Sequence, residues 1–346
     1  MMLYSELSAN AQTAYAQLAD AALSTAHFRS VSDLPGAFAY KMVKGYKYWY
    51  FQYTEPAGKL KQVFVGPDSE AVRALMAKKS GDGVTLQLQP LAASCVALGC
   101  EEVLNKHLKV ISRLAEYGFF QAGGVMIGTH AFQAYGNLFG VKWGDSTRTQ
   151  DIDFAHAGKS ISLALPSNIE LNTQSAIESL EMGLLPISGL SGKQGATYLS
   201  PKDPSFRLDF LTTLHRGFET PYQHPRLGIS LQPLKFMEFS LEHVQQAVLF
   251  NKENAVLVNV PHPARYALHK LIVYGEREGV YVAKSSKDLL QAAALLSILQ
   301  ERRPWDVSEA WEDLKKRGSG WVKRVELGIK ALDKAYPEIT IRNTLK

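Results

Sequence analysis

Cysteine is nearly absent: Cys95 and Cys100 are the two in 346 residues, too few for a disulfide framework or for a zinc site built from thiolates alone. No stretch approaches the roughly 18 uninterrupted apolar residues that a membrane-spanning helix needs. The best candidate, residues 289–299, is shorter than that and is bounded by Lys287, Asp288, Glu301 and Arg302. The start of the chain lacks the basic opening of a secretory leader, carrying Glu6 and Asp20 instead, so no signal peptide is expected and a reducing, cytoplasmic setting is. There is no Gly-x-Ser-x-Gly elbow and no Walker phosphate loop, which removes two common enzyme readings. No internal repeat and no low-complexity tract occur. An excess of one charge is also small: 38 Lys and Arg against 33 Asp and Glu, a formal +5, with a sequence pI near 8.9. That balance permits an anionic partner without requiring one.

What is present is a chain of ordinary globular composition, 46% hydrophobic and 21% charged with a mean hydropathy of -0.11, long enough for two or three domains. Helical spacing over residues 4–28 ends before a turn-forming Ser-Asp-Leu-Pro-Gly. The aromatic run YKYWYFQY and the following KLKQVFVGP, separated by Glu55-Pro56-Ala57-Gly58, predict a β-hairpin from residue 46, then a helix over 68–79 and a linker over 80–92. Residues 39–80 hold eight basic and three acidic side chains, a surplus equal to that of the whole chain. Lysines interleaved with Tyr46, Tyr48, Trp49, Tyr50, Phe51 and Tyr53 would suit a nucleic-acid backbone with stacked bases; the same pattern also describes a packed strand with lysines on its wet face. Further on, the patterning predicts a helix over 99–117, a strand over 119–122, a helix over 125–139, a strand around QDIDFAH, a helix over 169–185 and a strand at SFRLDFLTT. Two β-rich runs follow at 229–240 and 246–260, and helices fill the rest.

The chemistry concentrates around residues 119–156. Gly123 and Gly124 fall between a predicted strand and a predicted helix, where bare backbone and a helix N-terminus approach phosphate closely. Asp151 and Asp153 stand at i and i+2 on a predicted strand, so their carboxylates share a face, while Ile152 and Phe154 would face the core. Asp209, in Phe206-Arg207-Leu208-Asp209-Phe210, is a third acid in strand-like sequence, where acids are depleted. Three such acids point to a hard cation held by oxygen, Mg²⁺ or Mn²⁺, and a two-metal site would activate a hydroxyl and steady a leaving pyrophosphate. Cys95 and Cys100 lack a partner spacing for a metal. His130 and His156 flank the acids and suit either packing or proton transfer.

This order, a glycine pair, then Asp-x-Asp on a strand, then a lone Asp on a later strand, resembles the DNA polymerase beta nucleotidyltransferase superfamily. The segment Thr149-Gln-Asp-Ile-Asp-Phe154, preceded by GGVMIGTHAFQAYG, is similar to bacterial nucleotidyltransferase-fold proteins, including the toxins of type IV toxin and antitoxin systems. Later elements extend it: Pro263-x-Arg265 opens a helix bearing Lys270 and Arg277, and Lys287-Asp288 opens another. The resemblance covers roughly residues 118–290, and the separation of Gly124 from the acids is longer than in compact members. It implies that Asp151 and Asp153 bind both metals and that Asp209 completes the site of the ion activating the acceptor. It further implies that Gly123 and Gly124 hold the triphosphate, that Thr129 contacts or positions it, and that Lys270 and Lys287 neutralise phosphate charge.

The expected architecture is α/β: a polymerase beta-like nucleotidyltransferase core with a short mixed sheet at 93–261, an N-terminal helix and β-hairpin module at 1–92, and a helical C-terminal domain at 262–346. The expected activity moves a nucleoside monophosphate from an NTP to an acceptor hydroxyl, on an RNA end such as that of tRNA or on a protein, with an antitoxin-like partner protein implied by the toxin resemblance and no membrane. Two other readings differ from it. A glycosyltransferase also uses Asp-x-Asp but leaves the glycine pair and Asp209 unexplained, and a binding regulator on the same scaffold would not need all three carboxylates.

Overall fold

The computed structural model describes residues 3–28, 37–54, 60–70, 72–73, 76, 83–144, 149–157, 172–188, 194–214, 220–225, 227–276, 282–339, 341–343 and 345. The chain begins with β1 (Tyr4–Glu6) and α1 (Ala9–Phe28), followed by β2 (Ala37–Val43), β3 (Tyr46–Thr54) and β4 (Leu60–Pro67). Next come α2 (Gly83–Ala97), α3 (Asn105–Glu116), β5 (Gly124–Met126), α4 (Gly128–Phe139), β6 (Val141–Trp143) and β7 (Asp151–His156). The middle of the chain supplies α5 (Thr173–Glu178), β8 (Leu185–Ser188), β9 (Gln194–Ser200), β10 (Asp203–Thr213), β11 (Tyr222–His224), β12 (Ile229–Leu234) and α6 (Met237–Leu241). It closes with β13 (Val244–Phe250), β14 (Ala255–Pro261), α7 (Pro263–Glu276), α8 (Val282–Arg302), α9 (Pro304–Lys316) and α10 (Ser319–Ala335).

The centre is a seven-stranded mixed sheet of order β11-β12-β10-β7-β5, with β9 on β10 and β8 on β9. Strand β10 runs parallel to both β7 and β12, while β5 is antiparallel to β7. Alternation decides which faces are buried: Ile152, Phe154, Leu208 and Phe210 are all fully buried, and the Phe154 and Phe210 rings stack at 5.2 Å. The opposite face of the same two strands is left to Asp151, Asp153, Arg207 and Asp209. On the buried side α3 and α4 supply Leu108, Ile111, Leu114, Phe132 and Tyr135, and the same continuous core reaches α7 to α10.

Several local expectations change. Of the linker expected over 80–92, residues 83–92 belong to α2 and 80–82 lie outside the described residues; the apolar Leu88, Ala92 and Cys95 of α2 pack on Ala11, Tyr15 and Leu18 of α1 and on Val248 and Phe250 of β13. Burial of that face outweighs the cost of Pro90 inside the helix. Contacts therefore cross the expected boundary at 92: α1 rests on the β13–β14 hairpin, and β1 pairs with β6. Both cysteines are buried free thiols in or beside this cluster. The predicted hairpin is a three-stranded meander, β2-β3-β4, because β2 pairs with β3 through a turn at Lys44 and Gly45, both with positive φ, the geometry that two-residue hairpin loops favour. Of the helix expected over 68–79, Glu70, Val72, Arg73 and Met76 are described and helical, Asp68 and Ser69 precede it, and the rest lies outside the described residues. Residues 119–122 form turns rather than a strand, and the helix expected from 125 starts at Gly128, with β5 taking its first residues.

Candidate active site

Strands β7 and β10 set the acids by register. Asp153 lies directly opposite Asp209, and Asp151 opposite Arg207, on parallel neighbours about 4.8 Å apart. Each carboxylate is partly open to solvent, with 31% of the Asp151 side chain and 23% of the Asp209 side chain exposed. Asp209 is oriented by the Thr197 hydroxyl of β9, which donates to Oδ1 at 2.5 Å. Arg207 stretches across the group: its guanidinium donates to both oxygens of Asp151 at 3.3 and 3.1 Å and lies 3.8 Å from Asp209 Oδ2. Among the described residues no three Asp, Glu, His or Cys side chains are gathered round one point as a closed ligand set. The Arg207 cation bridges two of the acids, offsetting a repulsion that carboxylates this close otherwise feel.

The N-terminus of α4 abuts these acids. Gly128 has φ +62, and a Cβ there would fall 2.1 Å from Asp153 Oδ2, so only glycine lets the helix begin so near the carboxylate. The backbone N–H of Ile127 donates to the Asp153 carbonyl at 3.0 Å. As the N-cap, Ile127 offers no side-chain acceptor to the first turn, which leaves N–H groups of the kind that suit a phosphate. Thr129 follows Gly128 and is buried.

Helices α7 and α8 close the other side. The Tyr266 hydroxyl of α7 donates to the Gly128 carbonyl at 2.9 Å and sits 3.0 Å from the Gln291 side-chain amide. Lys270 Nζ lies 2.6 Å from Asp288 Oδ1, with both side chains largely buried, and 5.2 Å from the centre of the Tyr266 ring. Burial lowers the Lys287 pKa, and the neighbouring Lys270 charge lowers it further, while Asp153 and Asp151 pull it upward. The structure thus brings Lys270 and Lys287 to the rim of the acids. Arg265 does not join them: it is bonded to Asp313 at 2.7 Å and to the Phe239 carbonyl, tying α7 to α9. Arg277 lies outside the described residues.

Gly123 and Gly124 are placed differently from expectation. Gly124 opens strand β5 and pairs with His156, three residues along β7 from Asp153, roughly 10 Å away. A Cβ on Gly124 would meet the Phe119 ring at 2.3 Å, so this glycine serves close packing. The glycine at the helix start beside the acids is Gly128. His156 is also turned away, its Nε2 donating to the Ala122 carbonyl at 2.8 Å.

Next to Asp151 lies a cavity of about 580 Å³, bordered by Glu101, Glu102, His107, His130, Thr149 and Gln150. His107 Nδ1 and His130 Nε2 are 2.9 Å apart, and burial lowers their pKa values to about 4 and about 3, keeping both rings neutral near pH 7. His107 also stacks on Phe206 of β10. His107 Nε2 and His130 Nδ1 are buried without a hydrogen-bond partner among the described residues. Asn137, on the same helix as His130, clasps the Glu101 backbone through both its N–H and its carbonyl, at 2.9 and 2.8 Å.

Arg207 and Gly128 are the site residues that sequence reasoning passed over. Arg207 stands two residues before Asp209 on one strand, a spacing that already puts both on one face. Gly128 was masked by drawing the helix from residue 125.

The model of a family described as Nucleotidyltransferase matches residues 105–316, a span containing the three acids, Arg207, Gly128, Lys270 and Lys287. A solved structure of an antigenic nucleotidyltransferase-like protein from Paracoccidioides brasiliensis is similar at 11% identity and a TM-score of 0.35, over 71% of this chain and 94% of that one. No curated protein matches the chain.

Proposed function

Because the chain belongs to this nucleotidyltransferase family, we propose that it is a divalent-metal-dependent enzyme that transfers a nucleoside monophosphate from an NTP to an acceptor hydroxyl. The acceptor oxygen bonds to the α-phosphorus, the bond from that phosphorus to the pyrophosphate oxygen breaks, and the hydroxyl proton leaves to a nearby carboxylate or to water. The observation carrying this reading is the in-register pair Asp153 and Asp209, with Asp151 on the same face, at the start of α4.

The donor set fits Mg²⁺ or Mn²⁺, since carboxylate oxygens are the ligands such ions take and a guanidinium already bridges Asp151 and Asp209. Asp153 and Asp209 would hold the ion, joined by Asp151 when Arg207 turns aside. The ion supplies charge stabilisation and makes the acceptor hydroxyl easier to deprotonate. The chain's own groups do the positioning. The first N–H groups of α4 and the ammonium of Lys287 face the triphosphate, Thr129 lies beside it, and Lys270, held by Asp288, adds positive charge. Thr197 keeps Asp209 oriented. Gly124, packed against Phe119, and Gly123, beside the His156 ring, support β5 instead of touching phosphate.

The test offers purified protein each α-labelled NTP with Mg²⁺ or Mn²⁺, total RNA and cell protein, beside an Asp151→Asn/Asp153→Asn variant. Label transferred by the parent chain and lost in the variant supports the reading and identifies the base and the acceptor class. NTP binding without transfer under either metal would favour a regulator on a nucleotidyltransferase scaffold.

A further inference from the structure

Among the described residues no element outside the meander β2-β3-β4 packs extensively against it. Its two faces differ. On one, Phe38 and Tyr40 of β2 meet Phe51 and Trp49 of β3, Phe51 is buried, and the Trp49 indole donates to Asp68 at 2.9 Å. On the other, β3 carries Tyr46, Tyr48 and Tyr50 at alternate positions, with Phe64 of β4 at 6.2 and 5.5 Å from the second and third rings. Lys41 of β2 lies 4.8 Å from the Tyr50 ring. Tyr46 is 70% and Phe64 57% exposed, a concentration of apolar surface that isolated exposed residues do not produce.

Charge and spacing select an occupant. On the tyrosine face Lys41 lies over Tyr50 and Lys44 stands in the β2–β3 turn at its edge, Lys47 lying over Tyr40 and Trp49 on the other face; residues 37–54 and 60–67 include no Asp or Glu, so the tyrosine face attracts a polyanion. Alternate rings on one strand stand roughly 7 Å apart, about twice the 3.4 Å step of stacked bases in a duplex. Bases meet successive rings only when unstacked from one another, which a single strand allows and a duplex does not.

We propose that this face binds single-stranded nucleic acid, with bases stacked on Tyr46, Tyr50 and Phe64 and phosphates held by Lys41 and Lys44. Resting on the transferase reading above, the bound strand is the acceptor whose terminal hydroxyl receives the nucleotide.

The test measures fluorescence anisotropy of the full chain with a labelled oligouridylate of about twelve nucleotides, an oligothymidylate of equal length and an RNA duplex, a length matched to stacking platforms. Both single strands are expected to bind in preference to the duplex, and the tighter of the two names RNA or DNA as the source. With Lys41 and Lys44 at about 0.7 per charge, log K should fall against log salt with a slope near -1.4, and Lys41→Gln should reduce the magnitude of that slope by roughly 0.7. Tyr46→Ala/Phe64→Ala, at exposed positions that leave the core intact, should weaken binding by about tenfold or more, with the far-ultraviolet circular dichroism unchanged. Duplex binding as tight as single-strand binding overturns the proposal, as does parental affinity in the Tyr46→Ala/Phe64→Ala variant or no binding at low salt. The two readings fail separately: label transfer without single-strand binding removes the sheet proposal alone, and single-strand binding without label transfer removes the transferase reading and the acceptor role that rests on it while the binding face stands.

Discussion

Replacing Gly128 with alanine would put a methyl group 2.1 Å from Asp153 Oδ2, 3.0 Å from its Cγ and 3.2 Å from its Cβ, at φ +62. Two costs follow and they can be separated. The left-handed backbone alone costs a non-glycine residue about 1–2 kcal/mol. The contact adds more, because turning the terminal oxygen does not clear Cγ, so Asp153 must leave its rotamer at roughly 1 kcal/mol or α4 must shift. Gly183 supplies the control: its φ is +66, and a Cβ there would meet nothing within 4 Å. Gly183→Ala therefore carries the backbone cost alone, and urea unfolding should place Gly128→Ala about 1–2 kcal/mol below it. The same substitution displaces Asp153 from its register partner Asp209, so label transfer from NTP should fall by about tenfold or more, as when a carboxylate is misplaced by an ångström, while Gly183→Ala transfers at the parental rate. If Gly128→Ala matches Gly183→Ala in both stability and transfer, the placement of α4 against Asp153 is wrong.

Three other outcomes are expected. Arg207→Gln leaves Asp151 and Asp209 without their bridging cation; since the pairs are partly exposed, the loss is about 1 kcal/mol, or a Tm lower by roughly 2 °C in chelator. Saturating Mg²⁺ should erase that difference, and a gap that persists unchanged with Mg²⁺ refutes the idea that Arg207 occupies cation space. The second concerns pH: burial lowers His107 and His130 to about 4 and about 3, so they stay neutral in the folded chain while their unfolded forms protonate near 6.5. Their contribution is complete above pH 6.5 and declines as pH falls toward 4, by about 1 kcal/mol per imidazole per pH unit; His107→Gln/His130→Gln should flatten that part of the stability profile. The third tests the Lys270 and Asp288 pair, 2.6 Å apart and little exposed. Lys270→Ala should cost roughly 3 kcal/mol because it removes the ammonium bonded to a buried carboxylate, and adding Asp288→Ala should recover part of it. Strict additivity of the two changes would show that the pair is not coupled.

Sequence periodicity alone was enough for the local features nearest the acids. The spacing of Asp151 and Asp153, with Ile152 and Phe154 between them, specifies a strand with one acidic and one apolar face, because side chains on a strand alternate, and the same pattern puts Arg207 and Asp209 together. The long helices α7 and α8 were legible for a similar reason, an apolar stripe at helical spacing. Tertiary structure decided what periodicity does not encode. The pairing of β7 with β10 in the register that sets Asp153 opposite Asp209 depends on Phe154 stacking on Phe210, a contact between segments more than fifty residues apart. The turn from β5 into α4 at Gly128, in place of a helix begun at 125, follows from pairing of residues 124–126 with β7, which outweighed their helical pattern. Residues 83–92 read as a linker because their apolar positions have no partner nearby in sequence; α1 and β13 provide one only once the chain has folded. Local alternation thus determined which side chains share a face, and long-range burial determined which faces meet.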